Sequence, residues 1–236
     1  MWVYQLVEEL IEALGHRLLV GDAAETRRLA RRREKNDRRD ADLLLDLLVN
    51  DEFPTLYRYP KASREVLRQL RYRHKLVKLR TIVANTLHAL ALNALALNAG
   101  LSLRARLLTK GGRKQLSTLQ LSASSQQQRD ELLSLADELT QRINKVELWL
   151  AAQAKADERV RRLQTHPGVG LLTSLCVVHT LGEVSRFSCT RKLAAYVGFD
   201  PMEDSSAERK AYGGISKAGS CLLRYLLIEG RPDCGT

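Results

Sequence analysis

Aromatic side chains are scarce in this sequence: Phe, Trp and Tyr make up 5% of its 236 residues. A surface that recognises nucleic acid mainly by stacking bases on rings needs more of them. The four cysteines, Cys176, Cys189, Cys221 and Cys234, form no C-x-x-C pair. That spacing argues against a zinc site or a disulfide framework and fits reduced thiols in a cytoplasmic protein. No apolar run is long enough to cross a bilayer; the stretch 87–101 is short and is broken by Asn93 and Asn98. The first residues, 1–14, carry Glu8, Glu9 and Glu12, which the apolar centre of a signal peptide would not. Acidic charge is short as well. Against 38 Lys and Arg stand 27 Asp and Glu, a formal net charge of +11. Such an excess favours a polyanionic partner, most simply nucleic acid. A basic protein that is merely soluble, or that sits on ribosomes, is the plainer alternative.

What is present is mostly helical periodicity. Val3, Leu6, Val7, Leu10, Ile11 and Leu14 share one helical face, and Gly15 stops the pattern. The segment 16–21 (HRLLVG) reads as a short buried strand. Asp22 is placed to cap a helix over 23–33, and a further helix is expected from Asp37 to about Val49. This order resembles one end of an α/β domain, with too few strands for a whole one. Pro54 and Pro60 mark residues 51–60 as a linker. From Lys61 to about Asn98 the chain is one helical pattern, with Leu76, Val83, Leu90 and Leu97 seven apart. Gly111 and Gly112 interrupt it. A second long helix is expected from Ser125 to Leu163, on Leu132, Leu135, Leu139, Ile143, Val146 and Leu150. Two such helices around a break predict an antiparallel coiled coil over 61–163, each arm about 55 Å long. Two helices of an ordinary bundle would read the same way. Residues 164–236 form a last module, with helices expected over 171–181, 191–197 and 220–229.

Three motifs could carry chemistry. Asp37 and Asp40 stand three apart at a helix start and share a face. They could hold Mg²⁺, a hard cation that takes oxygen ligands, or serve as ordinary capping and first-turn acids. From Arg27 to Arg39 the chain carries eight basic residues, which track phosphates or form a solvated face. Pro167, Gly168, Val169 and Gly170 precede a helix, so bare backbone N–H groups can approach a phosphate. The turn is similar to that of helix-hairpin-helix modules and is also a common way to join two helices. Last, Asp204-Ser205-Ser206-Ala207-Glu208-Arg209-Lys210 precedes Gly213-Gly214-Ile215-Ser216-Lys217. A serine attacks phosphorus only when deprotonated and when cations neutralise the phosphoryl charge. Arg209, Lys210, Lys217 and Arg224 are the nearest candidates in sequence.

Taken together, these pieces show a resemblance. KNDRRDADLL (35–44) resembles the K-T-D-x-x-D-A segment of the DEDD insertion-sequence transposases, described as bridge-RNA-guided recombinases. THPGVG, RFSCTRKLAAYVGFDP and GGISKAGSCLLR (165–224) are similar to the ordered string of that family's C-terminal serine domain. The resemblance covers 4–229 and implies a mainly α protein. A remnant of an RNase-H-like domain would occupy 1–50, ahead of a coiled coil and a helical transposase domain with a helix-hairpin-helix-like turn. It implies DNA as substrate, a structured guide RNA, and a homo-oligomer formed through the coiled coil. No membrane role and a cytoplasmic, nucleoid-associated location in a bacterium or archaeon follow. It assigns Ser206 as the nucleophile, with Ser205 as the fallback, and makes Asp37 and Asp40 the last two of four Mg²⁺-binding acids. Gly168, Gly170, Arg209, Lys210, Lys217 and Arg224 would contact nucleic acid. The family's first Asp and its Glu have no counterpart, and Ala207 stands where a glycine is usual. The chain reads as truncated at both ends and impaired in cutting. A non-catalytic, nucleic-acid-binding coiled-coil protein is the alternative, and a structure-specific nuclease built on the Pro-Gly turn is a third reading.

Overall fold

A computed structural model describes residues 2–29, 37–97, 107–203 and 212–229. The chain divides into two compact units, Met1–Tyr59 and Pro60–Thr236.

The first unit holds α1 (Trp2–Ala13), α2 (Ala23–Leu29) and α3 (Asp37–Val49). Gly15 ends α1 at φ +77°, a conformation that costs glycine nothing. Asp22 caps α2 as its residue type predicts, its Oδ1 accepting from the N–H groups of Ala24 (2.8 Å) and Glu25 (3.3 Å). The segment HRLLVG is not the buried strand its apolar residues suggest. Leu19 is exposed and residues 16–20 join no ladder; the pairing is one bridge, Gly21 with Thr55. The Asp22 N–H donates to Pro54 O at 2.9 Å and the Leu56 N–H to Val20 O at 2.8 Å. Residues 51–60 thus give part of their backbone to this unit. Their Arg58 closes it: its guanidinium meets the buried Glu8, Glu12 at 2.9 Å and the Leu18 carbonyl at 3.2 Å. A buried carboxylate needs such a partner, since leaving it unpaired costs several kcal/mol.

The second unit is built on α4 (Lys61–Leu97) and α6 (Ala123–Ala156). They run antiparallel. Arg73 Nη2 lies 2.6 Å from Glu147 Oε1, and one helical heptad on, Arg80 Nη1 lies 3.4 Å from Thr140 Oγ1. Leu76, Val83, Leu87 and Ala91 of α4 join Ala136, Leu139 and Ile143 of α6 in one core. The small Ala136 takes the inward position that the leucine pattern gave to Leu135, which is exposed. Between them comes α5 (Lys110–Thr118), contributing Leu116 to the same core. Gly111 and Gly112 do not break a helix. They lie in the first turn of α5, where Thr109 Oγ1 accepts from the Gly112 N–H at 3.2 Å.

The expected helix over 125–163 is two helices. Asp157 leaves the helical region (ψ 113°) and caps α7 (Glu158–Gln164), with its Oδ1 2.9 Å from the Arg159 N–H. An Asp side chain that accepts from the following backbone offers an alternative to continuing the old helix and serves as the N-cap of a new one. Then come α8 (Leu171–Leu181), α9 (Thr190–Val197), β1 (Pro201–Glu203), β2 (Tyr212–Ile215) and α10 (Cys221–Glu229). Apolar nearly all round, α8 is buried, with Ser174, Leu175 and Cys176 fully inaccessible. It packs against α4, α6, α7 and α10. The chain is mainly α, as its periodicity predicts, and no helix among the described residues is long and apolar enough to cross a membrane.

Candidate nucleic-acid interface

The Pro-Gly-Val-Gly segment is an exposed turn joining α7 to α8. Gly168 sits at φ +82°, and the Val169 N–H donates back to His166 O at 3.1 Å. Gly170 is the N-cap of α8 in extended backbone, with no side-chain cap. A Cβ added at Gly170 would meet nothing within 4 Å. Neither packing nor dihedral angle demands glycine there; its effect is to leave the first N–H groups of α8 uncovered. The Ser174 hydroxyl does not cover them either, because it donates to the carbonyls of Gly170 and Leu171, both at 3.0 Å. Arg161 and Arg162, on the turn of α7 before this opening, are exposed. An anion here meets a helix N-terminus and a basic flank.

The second half of the module is a frame around the serine segment. Antiparallel β1 and β2 pair Glu203 with Tyr212 and Pro201 with Ile215. Ser205, Ser206, Arg209 and Lys210 belong to the sequence between these strands and lie outside the described residues. Below the strands, Asp200 holds Ser216 twice. The Ser216 N–H donates to Asp200 O at 2.8 Å, and its hydroxyl donates to the Asp200 carboxylate. Lys217 follows at φ +54°, its side chain exposed and its N–H 3.3 Å from Gly198 O. Arg224 has a different environment from that expected of a phosphate contact. It is buried at 9% exposure, and its Nη1 donates to the carbonyls of Val197 (2.9 Å) and Ala218. That guanidinium positions the loop that presents Lys217.

Some residues of the motif string are scaffold, which reasoning from sequence missed. Arg186 lies over the rings of Phe187 (4.2 Å) and Tyr196 (4.4 Å) and donates to Leu181 O at 3.0 Å. The R-F and A-x-Y elements thereby tie the end of α8 to α9. Glycine spacing was the available signal for the tight approach of the next loop. Gly198 and Gly219 both have positive φ, and a Cβ on either would collide with backbone, of Ala218 and Tyr196 respectively. Cys189 is the N-cap of α9, its backbone carbonyl accepting from the Lys192 N–H at 3.1 Å, and the proximity of that N–H to the exposed thiol holds the thiol below its usual range. Burial pushes Cys176 up to about 11.

Asp37 and Asp40 are both exposed in the first turn of α3. No group of three or more His, Cys, Asp or Glu placed to hold a metal occurs among the described residues. Two carboxylates leave Mg²⁺ mostly hydrated.

Residues 160–231 match the Transposase IS116/IS110/IS902 family. The transposase for insertion sequence element IS1111A of Coxiella burnetii is 32% identical over 205 residues, 83% of this chain and 54% of that protein. The transposase for insertion sequence element IS1328 of Yersinia enterocolitica is 32% identical over 91 residues, 39% of this chain and 27% of that one. The chain spans about half the length of the curated relatives it matches along most of its own length. Its C-terminal module thus matches a transposase domain of the IS116/IS110/IS902 family, and both relatives are insertion-sequence transposases.

Proposed function

We propose that this chain is a DNA-binding transposase protein of a mobile insertion sequence. The observation that carries this reading is the match of residues 160–231 to the transposase family. The geometry supports it: the uncovered N-terminus of α8 behind Gly168 and Gly170, flanked by Arg161 and Arg162, suits a DNA phosphate. Lys217, presented beside the strands that bracket the serine segment, is a second phosphate contact, with Arg209 and Lys210 adding charge within that segment.

In the finer reading, the Ser206 hydroxyl attacks a DNA phosphorus and forms a phosphoserine ester, displacing the neighbouring sugar oxygen. Nearby cations stabilise the phosphoryl charge. Asp37 and Asp40 are two carboxylates of a larger Mg²⁺ site, which requires further acids from elsewhere. A structured RNA selects the DNA, and copies associate through the long helices α4 and α6. Because two carboxylates hold Mg²⁺ weakly, the chain by itself binds nucleic acid and cuts poorly.

The test is a covalent adduct. With labelled duplex DNA and Mg²⁺, a protein–DNA adduct that survives denaturant and disappears in Ser206→Ala, while Ser205→Ala retains it, supports the finer reading. Salt-sensitive binding that never yields an adduct, even with a full-length relative supplied in trans, supports the non-catalytic alternative. Robust strand transfer by the chain alone contradicts the expectation of weak cutting.

A further inference from the structure

A groove of about 830 Å³ runs between the middle of α4 and the start of α10, away from the Pro-Gly turn and the serine segment in sequence. Arg71, His74 and Lys78 of α4 line one wall, and Ser220 and Tyr225 line the other. Positions 71, 74 and 78 fall on one helical face. Among the described residues, no Asp or Glu lines the groove. The side chains of Arg71 and Lys78 are exposed and form no ion pair with any described carboxylate. The His74 and Tyr225 rings meet at 4.9 Å between centroids, tilted by 56°. Tyr225 keeps 45% of its surface open, and Ile82 nearby keeps 59%.

Two cations with no described acidic partner attract a phosphate, and the exposed ring and aliphatic surface between them suit a flat apolar face. Ser220 adds a helix opening: its hydroxyl caps Leu223 at 3.3 Å, and the α10 dipole points its positive end into the groove. The positive character is also felt by His74, whose pKa is lowered by partial burial and then by Lys78 and Arg73. A duplex offers phosphates here but keeps its bases stacked inside. An unpaired nucleotide offers both chemistries at once.

We propose that this groove holds an unpaired nucleotide of a nucleic-acid strand, its phosphate on Arg71 and Lys78 and its base against Tyr225. This rests on the nucleic-acid-binding reading above and adds a single-strand contact to it. One ring at one place is compatible with the low aromatic content; it holds one base, not a stacked series.

The probes are fluorescein-labelled 20-residue single strands of DNA and of RNA, and the matching DNA duplex, titrated by anisotropy with the full chain. Tyr225→Ala is expected to weaken single-strand binding roughly fivefold to a hundredfold, with duplex binding unchanged, and Tyr225→Phe to restore it. Arg71→Gln with Lys78→Gln is expected to flatten the single-strand log K against log salt slope by about 1.4. The DNA and RNA arms show which strand the groove prefers. A second measurement needs no variant. Cys221 lines the groove and Cys189 does not, so the bound single strand should slow alkylation of Cys221 and leave Cys189 as it was. Unchanged single-strand affinity in Tyr225→Ala, or equal losses on duplex and single strand, overturns the groove and leaves the functional reading standing. A chain that binds the duplex but neither single strand does the same. A chain that binds none of the three overturns both.

Discussion

Arg224 Nη1 donates to the Val197 carbonyl at 2.9 Å, joining the last helix to the end of α9 across the loop that carries Lys217. A guanidinium buried to this degree is held by its acceptors, and truncating it leaves carbonyls without donors. Each unsatisfied buried group costs about 1–3 kcal/mol. Arg224→Met is therefore expected to lower the stability of the second unit by about 2–4 kcal/mol, read by urea denaturation. The residue's position in the motif suggests a phosphate contact, and the two roles separate on salt. If Arg224 neutralised a phosphate, the salt slope of DNA binding by the folded fraction would flatten by about 0.9. A positioning role leaves that slope unchanged.

How much of this was legible in the sequence depends on whether the signal was periodic. The end of α3 at Val49 and the span Leu171–Leu181 between Gly170 and Gly182 follow from apolar spacing, because a helix repeats its environment every turn. The break at Asp157 was not legible. Apolar spacing continues across it through Ala154, Val160 and Leu163, and one capping carboxylate decides the matter locally. HRLLVG has the composition of a strand but lacks partners for a ladder, and composition does not reveal partners. The short pair β1–β2 was invisible for the same reason. At the site, the glycines were legible and their purposes were not. Gly170 opens a helix end, whereas Gly198 and Gly219 let two backbones meet. Buried Arg224 and Glu8 carry charge, and a sequence gives no sign that a charge has gone inside.

Gly198 permits a sharp test of the interlocked loops. It caps α9 at φ +82°, ψ +35°, and an added methyl would strike the Ala218 backbone. The left-handed conformation alone costs a non-glycine residue about 1–2 kcal/mol, and backbone cannot move aside as a flexible side chain can. Gly198→Ala should lower the unfolding midpoint clearly, while Gly170→Ala, where φ is negative and space is open, should leave it within about 0.5 kcal/mol. The same Gly170→Ala protein is expected to bind DNA more weakly, because the methyl shades the N-terminus of α8. Parallel melts and anisotropy titrations separate the two glycines.

Acid should loosen the second unit. His179 is buried, and its Nδ1 lies 3.0 Å from Ser63 Oγ on α4. Burial lowers its pKa below the ordinary 6.5; Asp157 pulls it up and Arg159 pushes it down again. The folded protein thus resists the proton more than the unfolded chain does. Stability from this group is complete above pH 6.5 and is lost as the pH falls through the lower folded value. His74 is shifted in the same direction, so the comparison requires a variant. Unfolding free energies at pH 7.5 and 5.5 should differ in the native chain, with the folded state weaker in acid, and the difference should shrink in His179→Asn. An equal pH dependence in both proteins would remove His179 from the account.

The attachment of α5 sets an ion pair against burial, and the magnitudes decide. Arg113 meets Asp137 on α6 through two hydrogen bonds, one of them 2.8 Å from Nη1 to Oδ2. That pairing holds the Asp137 carboxyl below its usual range, first through the hydrogen bond from Arg113. Yet Asp137 is about half exposed, and solvent-exposed pairs contribute only about 0–1 kcal/mol. One turn away in α5, Leu116 is 1% exposed within the shared core. Emptying such a site costs about 2–5 kcal/mol. Asp137→Asn should therefore shift the urea midpoint slightly, and less still at high salt, whereas Leu116→Ala should shift it strongly at any salt. A larger effect from Asp137→Asn than from Leu116→Ala would mean that charge, not apolar burial, fastens this helix to the pair.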